Sequence, residues 1–283
     1  MTSSPPLRFQ HDPRKLVDCL SERAKRWWGA TAVIKVCSVS LGAISVLLFP
    51  GFKSAAVIIF LLFIAAELAA WRSDSFKSSA QAVLRKLDFS DSFGWGISRE
   101  EMSDLIVDCP SRLRKRIPPQ ADDDYFASAE PIGARRSLDN LQESSWWSKH
   151  LSRRMGHITL GVTTALIVMS VVVLLISINS VQSFDTLTSI GRVVSSGLML
   201  IVSLGLLRLC IGYYHFAKKA EQAERDAIRL LNSGADNLEA VKAWHEYQVS
   251  RASAPLIPSS LWRYMNNDLN EAWRAYRRRF DEA

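Results

Sequence analysis

Four stretches of this 283-residue chain run almost free of charge: Thr31–Phe49, Ser54–Trp71, His157–Asn179 and Val193–Tyr214. At a rise of about 1.5 Å per residue, each is close to the length that crosses a hydrocarbon core about 30 Å thick. A helix buried in a soluble domain keeps a polar stripe toward water, and these keep none of useful width. A soluble core is the poorer reading of all four together. Composition agrees, because the chain is 48% hydrophobic and 22% charged, yet its mean hydropathy is only +0.03. The apolar residues are bunched. The spacing predicts an all-α membrane protein with four transmembrane helices as two hairpins.

Orientation follows from Lys and Arg, which accumulate on the cytoplasmic side of membrane proteins. The segment before the first stretch carries Arg8, Arg14, Lys15, Arg23, Lys25 and Arg26. Basic residues recur from Arg72 to Arg154, and again from Lys218 to Arg279. The two short connections, Pro50–Lys53 and Ser180–Arg192, hold one cation each. Both termini are therefore expected in the cytoplasm, with almost no mass outside. The expected division is a cytoplasmic N-terminal segment 1–30, hairpin 31–71, central cytoplasmic segment 72–156, hairpin 157–214 and helical tail 215–283. No apolar run begins before Thr31, so a cleavable signal peptide is not expected.

Along the chain, Pro13–Trp28 reads as helix entering the first span, with Trp27 and Trp28 at the interface. The second span continues through Val83, Leu84 and Leu87 to a break over Asp88–Gly96. Ser98 with Glu101 has capping-box spacing and starts a short helix. Cys109–Asp124 reads as loop. Helix resumes at Ala134, is interrupted near Gly156 and enters the third span. The fourth span, expected unbroken, continues as helix to Leu231, where Asn232-Ser233-Gly234 ends it. Asn237–Ser250 is helical, Ala254–Pro258 cannot be, and Ser259 or Ser260 caps a last helix. Its apolar positions, Trp262, Met265, Leu269, Trp273, Tyr276 and Phe280, recur every three or four residues. That stripe suits docking on a neighbouring helix, a partner or the bilayer surface. Trp262, Leu269, Trp273 and Tyr276 are the candidate coupling positions.

Catalytic signatures are missing from the sequence: no phosphate-binding Gly loop, no His-x-x-x-His and no nucleophile elbow. His11, His150, His157, His215 and His245 are dispersed, and Cys19, Cys37, Cys109 and Cys210 form no close pair. Neither a metal site, a cofactor nor an enzyme is expected. Ionisable residues inside spans are suspects by default. Lys35, Glu67 and Arg208 all fall toward the cytoplasmic leaflet. Either they snorkel to the interface, or Glu67 pairs with Lys35 or Arg208 between helices. Small residues at Ser38/Gly42 and Gly161/Ala165 permit close helix approach. The basic run Arg112, Arg114, Lys115 and Arg116, with Arg135 and Arg136, suits either anionic lipid or a bound phosphate. Tyr125 and Phe126 lie between the two clusters and would stack on a base.

Two phrases stand out beyond the layout: Arg251-Ala-Ser-Ala-Pro-Leu-Ile-Pro-Ser-Ser-Leu-Trp262, and Asn140-Leu-Gln-Glu-Ser-Ser-Trp-Trp147 leading through Leu151-Ser-Arg-Arg154. With the two hairpins, the central segment and the helical tail, they resemble the SMODS-associated four-transmembrane (S-4TM) effectors of bacterial cyclic-oligonucleotide anti-phage systems. The resemblance implies an antiviral-defence effector of the bacterial inner membrane. A partner nucleotidyltransferase would make a cyclic oligonucleotide, and the effector, as a homo-oligomer, would then form a pore in the bilayer or rupture it. No ligand residue carries over from the family, and no DNA partner is expected. A membrane-tethered module recruiting a cytosolic partner is the alternative. A channel or transporter ranks third.

Overall fold

The computed structural model describes residues 13–48, 54–98, 128–180 and 204–281, with 100, 101, 103, 104, 126, 191, 194, 195, 198, 201 and 202. These residues contain six labelled helices and no strand: α1 (Pro13–Leu48), α2 (Ala55–Phe93), α3 (Ala134–Ser180), α4 (Leu206–Ser233), α5 (Asn237–Ser253) and α6 (Ser259–Asp281). The all-α class holds.

α1 pairs with α2, and α3 with α4, as the two most extensive helix contacts. In the first pair, Leu16, Val17 and Leu20 are buried against Ala80, Val83 and Leu87, positions three and four apart on one helical face. Further along, Ala24, Ala66 and Ala69 are buried, and Ser73 Oγ donates to the Ala24 carbonyl at 2.9 Å. Small side chains let the backbones approach. Ser38 is buried, and a Cβ on Gly42 would lie 3.6 Å from Ile59, so this small pair does sit in a helix contact. Gly161 and Ala165 are exposed; their spacing serves no contact within the described residues.

The polar half of α3 packs with α4 and α5 around Leu138, Leu141, Phe216, Ala220, Ala227, Trp244 and Tyr247. Trp244 is fully buried, and its Nε1 donates to the Ser137 carbonyl at 2.8 Å. A capping box between Asp236 and Glu239 opens α5. A residue preceding proline is pushed out of helical geometry, and α5 ends at the extended Ala254 before Pro255.

The opposite halves are apolar and bare. Two helices among the described residues are long and apolar enough to cross a membrane, within Ala56–Phe93 and Ala134–Val172. Their best windows have mean hydropathies of 1.9 and 1.8, and only 17% of each is buried. Phe60, Leu61, Leu68, Val168, Met169 and Leu175 all point outward. An uncovered apolar surface of that extent calls for lipid or another chain.

Four local expectations are corrected. Asp88–Gly96 is not a break, because α2 continues to Phe93 and stops at Gly94, whose φ of 69° is left-handed. Asp88 and Ser92 are buried, so they serve tertiary contacts rather than a turn. Gly156 does not interrupt α3; it makes room for Tyr214, whose ring lies 3.3 Å from where a Cβ would stand. The fourth apolar stretch is broken, since Gly205 adopts φ 63° directly before α4, a region glycine enters without strain. Ser259 does not cap α6 but lies within its first turn, its hydroxyl bonded to Glu22 and Lys25. The Ser98–Glu101 capping box is present, with bonds of 3.1 and 3.2 Å. The expected loop over Cys109–Asp124 lies outside the described residues.

Candidate functional site

The charged residues of the apolar halves separate cleanly. Lys35 of α1 pairs with Glu67 of α2 at 3.1 Å, so of the two partners expected for Glu67 it is Lys35 that lies within reach. Hairpin packing decides the choice, because α1 lies along α2. Arg208 of α4 is exposed and makes no ion pair among the described residues. Lys35 also lines a cavity of about 210 Å³ between the hairpins, with Thr31, Met155, Thr159, Leu206 and Leu209.

A second cavity of about 210 Å³ lies in the polar half, lined by Glu130, Arg135, Asp139, Gln142, Tyr276 and Arg277 among others. Its cations are already engaged: Arg135 meets Glu130 at 3.0 Å and Arg277 meets Asp139 at 2.8 Å. Arg136 donates to the Glu130 carbonyl at 3.2 Å. Arg135 and Arg136 thus gather on one glutamate. Arg112, Arg114, Lys115, Arg116 and Tyr125 lie outside the described residues. Phe126 does not offer a free stacking face, being buried edge-on against Trp244 at 6.5 Å.

α6 docks through Leu269 and Trp273, buried against Trp146, with Met265, Tyr276, Trp147 and Leu151 around them. Trp262 is the exception. It is 47% exposed, because the first turn of α6 is tied to α1 through Ser259 and the helix meets α3 only further along. Beneath the rings, Glu224 of α4 accepts from Lys149 of α3 at 2.5 Å and from the Tyr276 hydroxyl at 2.9 Å. Burial is the main cause that pushes the Tyr276 phenol up to about 12, which keeps it a donor at neutral pH. Glu224 went unnoticed in the sequence, although it interrupts the apolar stripe Tyr213, Ala217, Ala220, Ala227. A carboxylate on such a face is a readable signal.

Two further arrangements had no sequence signal: the partners of Asp88, and what the non-helical ribbon Ala254–Pro258 holds. Asp88 is buried and meets Arg251 and Gln248 of α5. Burial raises its carboxyl above the ordinary range, and the Arg251 guanidinium opposes that shift. The ribbon Ala254–Pro258 straps several helices together. Lys77 of α2 donates to the Ala254 carbonyl at 2.7 Å, and Tyr213 of α4 donates to the Leu256 carbonyl at 2.5 Å. Pro255 sits on Gly212, where a Cβ would approach its Cγ to 2.9 Å. Burial holds the Lys77 ammonium below its ordinary range, and Asp74 partly counteracts it.

Among the described residues, no group of three His, Cys, Asp or Glu could hold a metal ion. Comparison of the chain with protein-family models, curated proteins and solved structures finds no match.

Proposed function

We propose that the chain crosses the membrane four times with both termini cytoplasmic, and that its helical domain transmits a cytoplasmic cue to the spans. In this reading the protein is an inner-membrane effector of anti-phage defence. A nucleotide signal changes the cytoplasmic domain, and the assembled spans then breach the bilayer.

The observation that carries the reading is the continuity of α2 and α3. Each passes without a break from an exposed apolar half into a packed polar half. A rearrangement of the polar half therefore moves the apolar half as one body. The one-sided distribution of Lys and Arg supports the orientation, and the S-4TM-like phrases support the defence role. Arg112, Arg114, Lys115, Arg116, Tyr125, Arg135 and Arg136 remain the proposed ligand contacts. The charge-balanced cavity around Arg135 favours the second reading, a membrane-tethered module that recruits a cytosolic protein, because a nucleotide would have to displace Glu130 or Asp139.

Reporter fusions after residue 30, near residue 120 and at residue 283 test the topology, and all three should behave as cytoplasmic. A periplasmic signal near residue 120 overturns the membrane reading. Co-expression with a cyclic-oligonucleotide-producing nucleotidyltransferase tests the role. Collapse of the membrane potential supports the effector, whereas an intact potential with a co-purifying cytosolic protein supports the recruiting module.

A further inference from the structure

The outward face of α2 carries a stripe of Phe60, Ile64, Glu67, Trp71 and Asp74, all exposed. The Glu67 side chain is 70% exposed even though Lys35 holds its Oε1. Its neighbours Ile64, Leu68 and Trp71 are exposed and apolar. A carboxylate there is costly in lipid and too short to reach the headgroups easily. The outward face of α4 carries the cations Arg208 and Lys218 with Ile211 and His215 between them, all exposed. Neither Arg208 nor Asp74 makes an ion pair within the chain among the described residues.

Register and direction agree as well. Glu67 and Asp74 are seven residues apart, as are Arg208 and His215, and seven residues return to nearly the same side of a helix. α2 and α4 both run from the apolar end to the polar end, so copies sharing one membrane orientation present them in parallel. Lys35, the partner of Glu67, lines a cavity with Leu206 and Leu209, which puts Glu67 and Arg208 at a common level. One parallel register therefore sets Glu67 against Arg208, Trp71 against Ile211, and Asp74 against His215 and Lys218. Arg72, exposed and stacked over Trp71 at 5.2 Å, borders the stripe.

We propose that the α2 stripe of one copy docks on the α4 stripe of a second copy, with Glu67 shared between its own Lys35 and Arg208 of the neighbouring copy. The two faces differ, so the contact is head-to-tail and repeats around a ring or along an array. This inference rests on the membrane placement proposed above and names the surface through which the spans assemble.

Disulfide trapping in native membranes tests it. Two differently tagged copies, with the four native cysteines replaced by alanine, carry Trp71→Cys and Ile211→Cys respectively. Copper-phenanthroline oxidation should give the mixed dimer, since a disulfide forms only when Cα atoms come within about 7 Å. Moving the first cysteine to exposed Val168 of α3 should lower the yield by about tenfold or more, as should adding Arg208→Glu, whereas Arg208→Lys should stay within about twofold. Equal trapping from Val168→Cys, or indifference to Arg208→Glu, overturns the interface. The otherwise unaltered chain gives an independent reading after extraction in native-membrane polymer discs. It should be multimeric, and Arg208→Glu should reduce it to monomer; a monomeric parent overturns the interface. A membrane-inserted chain that fails these tests sinks the interface alone, while recovery in the soluble fraction sinks the membrane placement with it.

Discussion

Trp146 of α3 and Trp273 of α6 meet with ring centroids 5.2 Å apart and planes inclined by 50°. Tyr276 adds a third ring 6.1 Å from Trp146. The rest of α6 is largely polar, so this cluster supplies most of the burial that holds the helix. Trp273→Ala should cost about 3–5 kcal/mol locally, enough to release α6 while the chain stays inserted. Tryptophan emission should shift to the red, and α6 should become sensitive to protease. Trp273→Phe keeps a ring and should lose far less. In the proposed mechanism the alanine variant no longer depolarises the membrane; normal depolarisation at normal abundance would remove α6 from signalling.

The Lys149–Glu224 pair lies under those rings and is nearly inaccessible to water. Glu224→Gln leaves the Lys149 ammonium buried without a counter-charge, which should cost about 3–5 kcal/mol. The double variant Lys149→Met/Glu224→Leu removes both charges and should be the more stable of the two. Thermal unfolding of detergent-solubilised protein compares them. A single variant as stable as the double one would mean that water reaches the pair.

Acid should loosen the same region. The His150 ring lies 4.5 Å from Trp146. Burial is the main cause that holds its pKa below the ordinary value of 6.5, Lys149 and Arg153 act in the same direction, and Glu224 opposes them. The unfolded state therefore binds the proton more readily, so stability present above pH 6.5 falls as pH drops through that value toward the lower folded pKa. Tryptophan fluorescence between pH 7.5 and 5.5 should report α6 loosening. His150→Gln should flatten this profile, and an unchanged profile would assign the acid sensitivity elsewhere.

Gly212 lies under the strap. Gly212→Ala puts a methyl group 2.9 Å from Pro255 Cγ, and the proline ring cannot fold away as a flexible side chain would. The ribbon must shift, lengthening the Lys77 and Tyr213 bonds to its carbonyls. Trypsin cleavage after Arg251 should rise severalfold while α4 keeps its helicity by circular dichroism. Unchanged cleavage would mean that the ribbon tolerates displacement.

Much of the helical layout was legible because hydropathy and spacing report it directly: the long apolar halves of α2 and α3, the Leu269–Trp273–Tyr276 stripe and the Pro-rich strap. Polar residues misled. Asp88 and Ser92 have turn chemistry in isolation, and only their distant partners, Arg251 at one and Asn140 at the other, make them interior helix residues. Glycine misled in both directions. Gly156 reads as a break yet receives a tyrosine ring, whereas Gly205 passes for an ordinary span residue yet turns the chain. Such outcomes depend on what packs opposite a position, which one strand of sequence does not carry. Candidate site residues fared alike: spacing found Trp273, but pairing Glu67 with Lys35 required knowing which helices are neighbours.

The unbroken α3 has a consequence of leverage. Its 47 residues make a rod about 70 Å long at about 1.5 Å per residue. Gly156, where Tyr214 wedges in, lies near the middle and is the natural fulcrum. A tilt of about 10° there would carry the Ser180 end sideways by about 6 Å, over half of the 8–10 Å that separates packed helix axes. The same tilt moves Trp146, ten residues from the fulcrum on the other side, by only about 2.6 Å, so the rod more than doubles at its far end whatever displacement the aromatic cluster imposes.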